Sequence, residues 1–464
     1  MSRKYRGGRR LVALTAIASA MTLIAACTAS PSSTTSNGKT VLKVAYGSQF
    51  VFLTPQLAIK WWGTVAHEFE KAHPNVTVQF VPIPGGYPDI VNKMSLLFRT
   101  PSTAPDVAEL PAGQMGEWVS SGFLLPVNKY LSTASYWNQI PKSVQNETLI
   151  NGKYYGVNHG ENTNALWYNM PMFRKAGLPV PWHPKTWADV LAAAATIHAK
   201  LPSVTPLWLA GGSAGGTIAI QYNGGNLLAG STNSTIYDAK TGKWVVDSPG
   251  LRETLQFYKT LAQKHLSASV SELLNPNAVD GLPGLLAKDN TAIAVGANFY
   301  AESWVKSTCG PCWLQAPKIM GVTKLPTING QGAGYASVLG GWELSIGAQS
   351  AHPQLAWDFI QTAQQQTNMI DASNWGGWVP PSNVANSAAA FVNYAPPYQK
   401  FFAALLPASQ EEPNTSPFTV WGTGFNNATG AIIQNPNISI DAAVNVMKNY
   451  VTTQLGADKV ETIG

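Results

Sequence analysis

Apolar and polar positions alternate over residues 41–46, Val-Leu-Lys-Val-Ala-Tyr, which predicts a first strand. The period then changes. Leu57, Trp61, Trp62, Val65 and Phe69 recur at helical spacing, and His73-Pro74-Asn75 stops the run. Alternation returns over 76–81, a helix follows around 88–98, and 106–110 reads as a third strand. Strands alternating with helices predict βαβ units, so the fold class is α/β with largely parallel sheets. Further helices are expected at 186–200, 249–264, 353–365 and 440–455, with Lys185-Thr186 and Asp247-Ser248-Pro249 as starts. No internal repeat and no composition break is visible, which suits two lobes that exchange strands.

The first residues have another character. Arg3, Lys4, Arg6, Arg9 and Arg10 precede an apolar run at 11–26, too short for a membrane span of about 20 residues. Residues 1–26 therefore read as a signal peptide. The run ends in Ile24-Ala25-Ala26-Cys27, which resembles a bacterial lipobox with Cys27 as the lipidated residue. An ordinary cleaved signal and an uncut anchor are the other readings. Residues 27–40 form a Ser/Thr-rich, flexible tether. The mature protein is expected on the extracytoplasmic face of a bacterial cell membrane, lipid-anchored.

Of 464 residues only 12% are charged, about half the usual share. Without the five basic N-terminal residues, 25 Lys and Arg stand against 24 Asp and Glu. A body this close to neutral carries no electrostatic footprint for nucleic acid. Sixteen Trp is a high count, and such rings exposed in a cleft would suit a ligand with apolar faces and polar edges. Cys309 and Cys312, in Thr-Cys-Gly-Pro-Cys, have thioredoxin spacing, but Pro317 argues against the helix that redox chemistry requires. A local structural disulfide is the expectation, and no metal site is expected.

Several stretches resemble the extracellular solute-binding proteins of ABC importers, family 1, the maltose-binding-protein-like group. Residues 69–76, Phe-Glu-Lys-Ala-His-Pro-Asn-Val, look like the end of its first helix, and Pro105-Asp106-Val107 with 121–126, Ser-Gly-Phe-Leu-Leu-Pro, like its third strand and the next helix exit. Leu166-Trp-Tyr-Asn169, Ala176-Gly-Leu178 and Pro184-Lys-Thr-Trp187 match most specifically. The segments 290–296, 321–326 and 340–346 extend the match, so it runs from about 41 to 455. The resemblance implies a two-lobe periplasmic-binding-protein-like (type II) fold with a ligand cleft at the hinge. The N-terminal lobe is expected at 41–158 plus 323–372 and the C-terminal lobe at 159–322 plus 373–464. Crossings are expected near 155–163, 322–326 and 375–381.

The implied function is capture of a carbohydrate and delivery to the transmembrane subunits of an ABC permease, by a monomer without cofactor or catalysis. Aromatic rings would cover sugar faces, and amides and acids would satisfy hydroxyls otherwise buried unpaired. On the loops that the resemblance places at the cleft lie Gln49 and Phe50, Tyr87, Glu109 and Gln114. Near the hinge come His159, Glu161, Asn162 and Thr163. The second lobe offers Tyr222, Asn223, Asn298, Phe299 and Tyr300, and Trp342, Trp375, Trp378 and Trp421 complete the set. Trp342 and Trp421 are expected to stack on the ligand from opposite sides. Trp61, Trp62, Trp187, Tyr168 and Trp357 read as core. Leu110, Gly113 and Gln114 depart from the maltose-specific pattern, so that specificity is not carried over. A secreted glycosidase would need paired carboxylates. Glu161, Glu302, Glu343 and Asp106 are scattered singly in the sequence. Polyamine, iron, thiamine or phosphorylated glycerol would call for acids, a Tyr cluster or Arg. The amide-rich, charge-poor set points instead to a neutral sugar.

Overall fold

Two sheets organise the chain, and the strands that pass between them define the molecule. The computed structural model describes residues 35–36 and 38–464, apart from 213–219, 276–277, 280, 306–312 and 396. Cys27, Cys309 and Cys312 lie outside the described residues. Among these residues no helix is long and apolar enough to cross a membrane.

In the first sheet Lys39–Gly47 (β1) pairs in parallel with both Val76–Ile83 (β2) and Val107–Pro111 (β3). Within the expected tether, Thr35–Ser36 already folds back against Lys39 and Thr40. Pro55–Ala72 (α1) connects β1 to β2. Thr54 caps it by accepting from the Leu57 N–H at 3.3 Å, and its apolar face buries Trp61, Trp62, Val65 and Phe69. Tyr87–Phe98 (α2) connects β2 to β3.

Val157–Asn162 (β4) also belongs to the first sheet, and Thr163 alone separates it from Asn164–Asn169 (β5) of the second. The second sheet adds Thr205–Trp208 (β6), Thr291–Ala297 (β7) and Met320–Thr323 (β8), in the order β8–β5–β7–β6. The chain then returns to Gly340–Ile346 (β9), which inserts between β3 and β4. A third link is made by Val379, whose backbone exchanges hydrogen bonds of 2.9 and 2.8 Å with Glu161. Strand β4 thus runs to Asn162 within the first sheet, past the boundary drawn at 158.

Largely parallel sheets were expected, but both are mixed. Only β2–β1–β3 and β6–β7 are parallel. The strands carrying the chain between lobes, β5 and β9, run antiparallel to their neighbours because they enter each sheet from the opposite end.

The expected helices appear as Trp187–Lys200 (α3), Pro249–Gln263 (α4), Pro353–Ala363 (α5) and Ile440–Leu455. Two long helices between α5 and the last were not foreseen, Gln366–Gly376 (α6) and Phe418–Gln434 (α7), so the last is α8. Helix α7 carries Gly422, Gly424 and Gly430, residues that weaken a helical signal.

Trp421 lies on α7 and corrects the expectation that it stacks on ligand. It is fully buried, its Nε1 donates to the Val245 carbonyl at 2.7 Å, and it stacks between Phe418 and Phe425 at 6.0 and 5.5 Å. Trp421→Ala should therefore cost about 3–5 kcal/mol of folding stability, as large-to-small core changes do. Denaturant melts should show this loss, while the affinity of the folded fraction for ligand stays unchanged.

Candidate functional site

A recess of about 410 Å³ opens where β3, β4 and β9 end. Three rings form one wall. Phe50 follows β1, Tyr87 begins α2 and Trp342 sits on β9. Phe50 meets the other two edge-on, each at 6.3 Å between centroids. Asn162, Gln221, Tyr222 and Glu412 also line the recess. Gly340 makes room for this lining, since a Cβ there would lie 1.3 Å from Gln221 Nε2. Asn162 donates through Nδ2 to the Tyr222 hydroxyl at 3.0 Å, and its buried Oδ1 has no partner. Burial, and then the Glu147 charge, push the Glu412 carboxyl up to about 8. At neutral pH it holds a proton and can donate as well as accept.

Of the expected residues, the recess gathers Phe50, Tyr87, Asn162, Tyr222 and Trp342. The others have different work. Gln49 is exposed and accepts from the Gly85 N–H at 3.0 Å. Gln114 is buried beside the recess without lining it. Asn223 accepts from the Ala210 N–H at 3.0 Å. Asn298 ties two crossings together: Oδ1 accepts from the Thr163 N–H at 2.8 Å and Nδ2 donates to the Gly377 carbonyl at 2.7 Å. Phe299 stands edge-on to Tyr222 at 5.5 Å, behind the recess. Trp375 is partly buried under the Lys60 ammonium, 4.3 Å from the ring centroid. Trp378 is buried against Phe52 and His159. Glu109 is sealed beneath the sheet, and Glu161 joins Glu147 and Glu343 in a buried group. Gln221 and Glu412 were missed. Glu411-Glu412 was a visible signal, an acidic pair in an acid-poor chain.

Wider depressions exist, including one of about 1060 Å³ lined by Leu149, Ile236 and Glu411. Asn146, Asn151, Gln410 and Asn414 give it amides, but Tyr237 is its one ring, so it lacks the grouped aromatic faces of the recess.

The sequence pattern of the bacterial extracellular solute-binding protein family matches residues 55–370. The chain belongs to this family. An ABC transporter extracellular-binding protein of Pyrococcus horikoshii is 28% identical over 160 residues, 32% of this chain and 35% of that protein. The multiple sugar-binding protein of Streptococcus mutans is 27% identical over 191 residues, 41% of this chain and 40% of its own length. The chain thus spans well under half the length of these relatives. An ABC transporter solute-binding protein of Thermotoga lettingae, solved with α-D-tagatose, superposes with a TM-score of 0.69 at 20% identity. The match covers 90% of this chain and 100% of that one, which shows a shared two-lobe type II fold.

Beneath the recess of this solute-binding protein lies a sealed pair. His159 sits among Trp61, Trp62 and Trp378, with Nε2 3.5 Å from Glu109 Oε1, and both side chains are fully buried. Burial lowers His159 from 6.5 to about 3. Burial raises Glu109 well above 4.5, against a hydrogen bond from the Gly47 N–H. His159 is therefore a neutral imidazole at neutral pH, and burial disfavours the charged form of both partners.

The signs follow from the proton count. Between pH 6.5 and 3 the unfolded chain binds a proton on His159 that the folded chain refuses, so this residue's contribution is lost as pH falls through 6.5. Glu109 acts oppositely. Its contribution is full below 4.5 and is lost as pH rises towards its folded value. Between 4.5 and 6.5 the two oppose each other for as long as Glu109 holds its proton. His159→Gln should leave the Glu109 effect uncompensated. Stability of the variant should fall with rising pH by about 1.4 kcal/mol per unit more than the wild type in that window. Denaturant titrations at several pH values measure the difference in slope.

Proposed function

We propose that this solute-binding protein captures a neutral carbohydrate in the recess and passes it to an ABC permease. The carrying observation is that Phe50, Tyr87 and Trp342 line one recess together with Asn162, Gln221, Tyr222 and Glu412. Rings stack on C–H faces at low entropy cost, and amides and a protonated carboxyl satisfy hydroxyls. None of the residues lining the recess is Lys or Arg, so a phosphate ester would find no cation there. The relative named for multiple sugars and the fold relative holding a ketohexose support the same reading.

Closure of the two lobes on the sugar is the expected motion, with binding favouring the closed state. The lobes comprise about 41–158 plus 323–372 and 159–322 plus 373–464. The chain works as a monomer and binds without turnover. The three glutamates that do come together, Glu147, Glu161 and Glu343, do not line the recess. A signal peptide at 1–26, lipidation at Cys27 and a local bond between Cys309 and Cys312 complete the proposal.

Isothermal titration with mono- and oligosaccharides tests the ligand class. Trp342→Ala should weaken binding by about 2–3 kcal/mol, the size of a buried aromatic hot spot. If that variant binds sugar as the wild type does, or if polyamine or glycerol phosphate binds in place of every sugar, the reading fails. Cys27→Ser should abolish labelling by a radioactive fatty acid in cells, and retained labelling would remove the anchor.

A further inference from the structure

The group formed by Glu147, Glu161 and Glu343 lies apart from the recess, and its chemistry is unusual. Glu147 comes from the short turn Asn146–Thr148, Glu161 from β4 and Glu343 from β9. Ligand atoms of all three lie within 4.8 Å of one another, and all three side chains are buried. None of them is ion-paired among the described residues.

A fault in strand pairing brings the residues together. On a regular strand, Asn158 and Glu161 would point to opposite faces, being three residues apart. Opposite β9, however, Trp342 faces Gly160 while Glu343 faces Asn158, so β4 carries one residue more than its partner. His159 and Gly160 consequently share one side. His159 packs on Trp378, and a Cβ on Gly160 would meet the Trp378 ring at 2.2 Å. Asn158, Glu161 and Glu343 are left on the other side.

Asn158 adds a second observation. It is fully buried, and its Nδ2 donates to Glu343 Oε1 at 3.1 Å and to the Val144 carbonyl at 2.9 Å. Its amide also contacts the Glu161 carboxyl. Asn158 Oδ1, Glu147 Oε2 and Glu343 Oε2 have no partner, while the Glu161 carboxyl meets only the Asn158 amide and the Glu147 carboxyl. Three acceptor atoms on three buried side chains thus lack a donor, and Glu147 and Glu161 hydrogen-bond to each other. Burial raises the carboxyls, Glu147 to about 7 and the other two well above 4.5. At Glu161 and Glu343 the Glu147 charge adds to this, while at Glu147 the hydrogen bond with Glu161 works against it and the Glu411 charge adds to it. The charged groups around them do not relieve this. Glu411 and Glu412 are acidic, and the Lys142 ammonium is directed to Gln145 and Tyr154.

We propose that Glu147, Glu161, Glu343 and Asn158 form a buried binding site for one hard divalent cation, with Ca²⁺ the species that fits. Ca²⁺ takes six to eight oxygens at about 2.3–2.6 Å, so oxygens on opposite sides of it lie up to about 5 Å apart. Three carboxylates and one amide supply up to about seven oxygens. Mg²⁺ keeps several waters, which suits a sealed site poorly. Binding displaces protons from the carboxyls. One proton retained on the glutamates would cancel the charge that a divalent ion leaves over. The Glu161 backbone is bonded to Val379, so the ion would stiffen the meeting point of two crossings. None of this depends on the sugar reading.

The test uses the full chain, stripped with EDTA and titrated with CaCl₂ or MgCl₂. About one Ca²⁺ per chain should survive gel filtration, as counted by plasma mass spectrometry. Ca²⁺ should raise the melting temperature by several degrees, and Mg²⁺ by less. Affinity should fall as pH drops and the carboxyls take their protons back. Glu161→Gln and Glu343→Gln should lose the retained ion and the Ca²⁺-dependent shift. They should melt at or above the metal-free wild type, since each removes one of the mutually repelling groups. If the wild type retains no Ca²⁺ and its melting ignores millimolar Ca²⁺, the proposal is overturned and shared protons hold the cluster. Those wild-type measurements decide the matter even if neither variant folds.

Discussion

Backbone hydrogen bonds hold β9 between β3 and β4, so a strand arriving from the second lobe closes the sheet of the first. Every feature of the hinge hangs on that pairing. Trp342 reaches the recess from β9, and Asn162 reaches it from the end of β4. The extra residue in β4 aims His159 at the tryptophans and Glu161 at Glu343. Only Thr163 lies between the sheets at the first crossing, and Asn298 fixes its N–H while also holding Gly377. Rotation between lobes must therefore pass through a few backbone torsions that are already hydrogen-bonded on both sides.

The abundance of tryptophan serves mainly another purpose than ligand capture. Trp61, Trp62, Trp167, Trp208, Trp357 and Trp421 are among the largest fully buried side chains. Several buried indole N–H groups reach across the chain: Trp61 to the Asn368 carbonyl, Trp421 to that of Val245, and Trp187 to that of Pro326. A chain with few charges uses these rings as fillers that also satisfy distant backbone acceptors. The recess keeps only Trp342.

The regular elements were legible where a period was sustained. Strand β1, helix α1 and helix α8 fall within a few residues of their sequence signals because one face of each is apolar and the other is not. Helix α7 was hidden by its glycines, and with it the true place of Trp421. Position along the chain could suggest a cleft but not which side of an element a ring would take. Phe50, Tyr87, Asn162 and Trp342 were recognisable because they stand at strand ends or helix starts. Glu109 and Glu161 were misplaced for a local reason. Whether a residue faces the recess or the layer beneath depends on strand register, and one unpaired residue at His159–Gly160 reverses it. Nothing in the sequence marks such a bulge. For the same reason Glu161 and Glu343 look isolated in the chain while lying side by side in space.

The insertion of β9 also bears on how the molecule comes into being. Its neighbours β3 and β4 emerge from the ribosome long before it does. Until residues 340–346 exist, the facing edges of β3 and β4 carry unpaired backbone groups, and the first lobe has no complete sheet. The strands of the first sheet do not lie in one contiguous stretch, whereas those of the second all fall within residues 164–323. Pairing across so long an interval is slow, because the loop must close before the contacts reward it. Completion of the first sheet thus waits on residues far along the chain, long after β1 to β4 have been made.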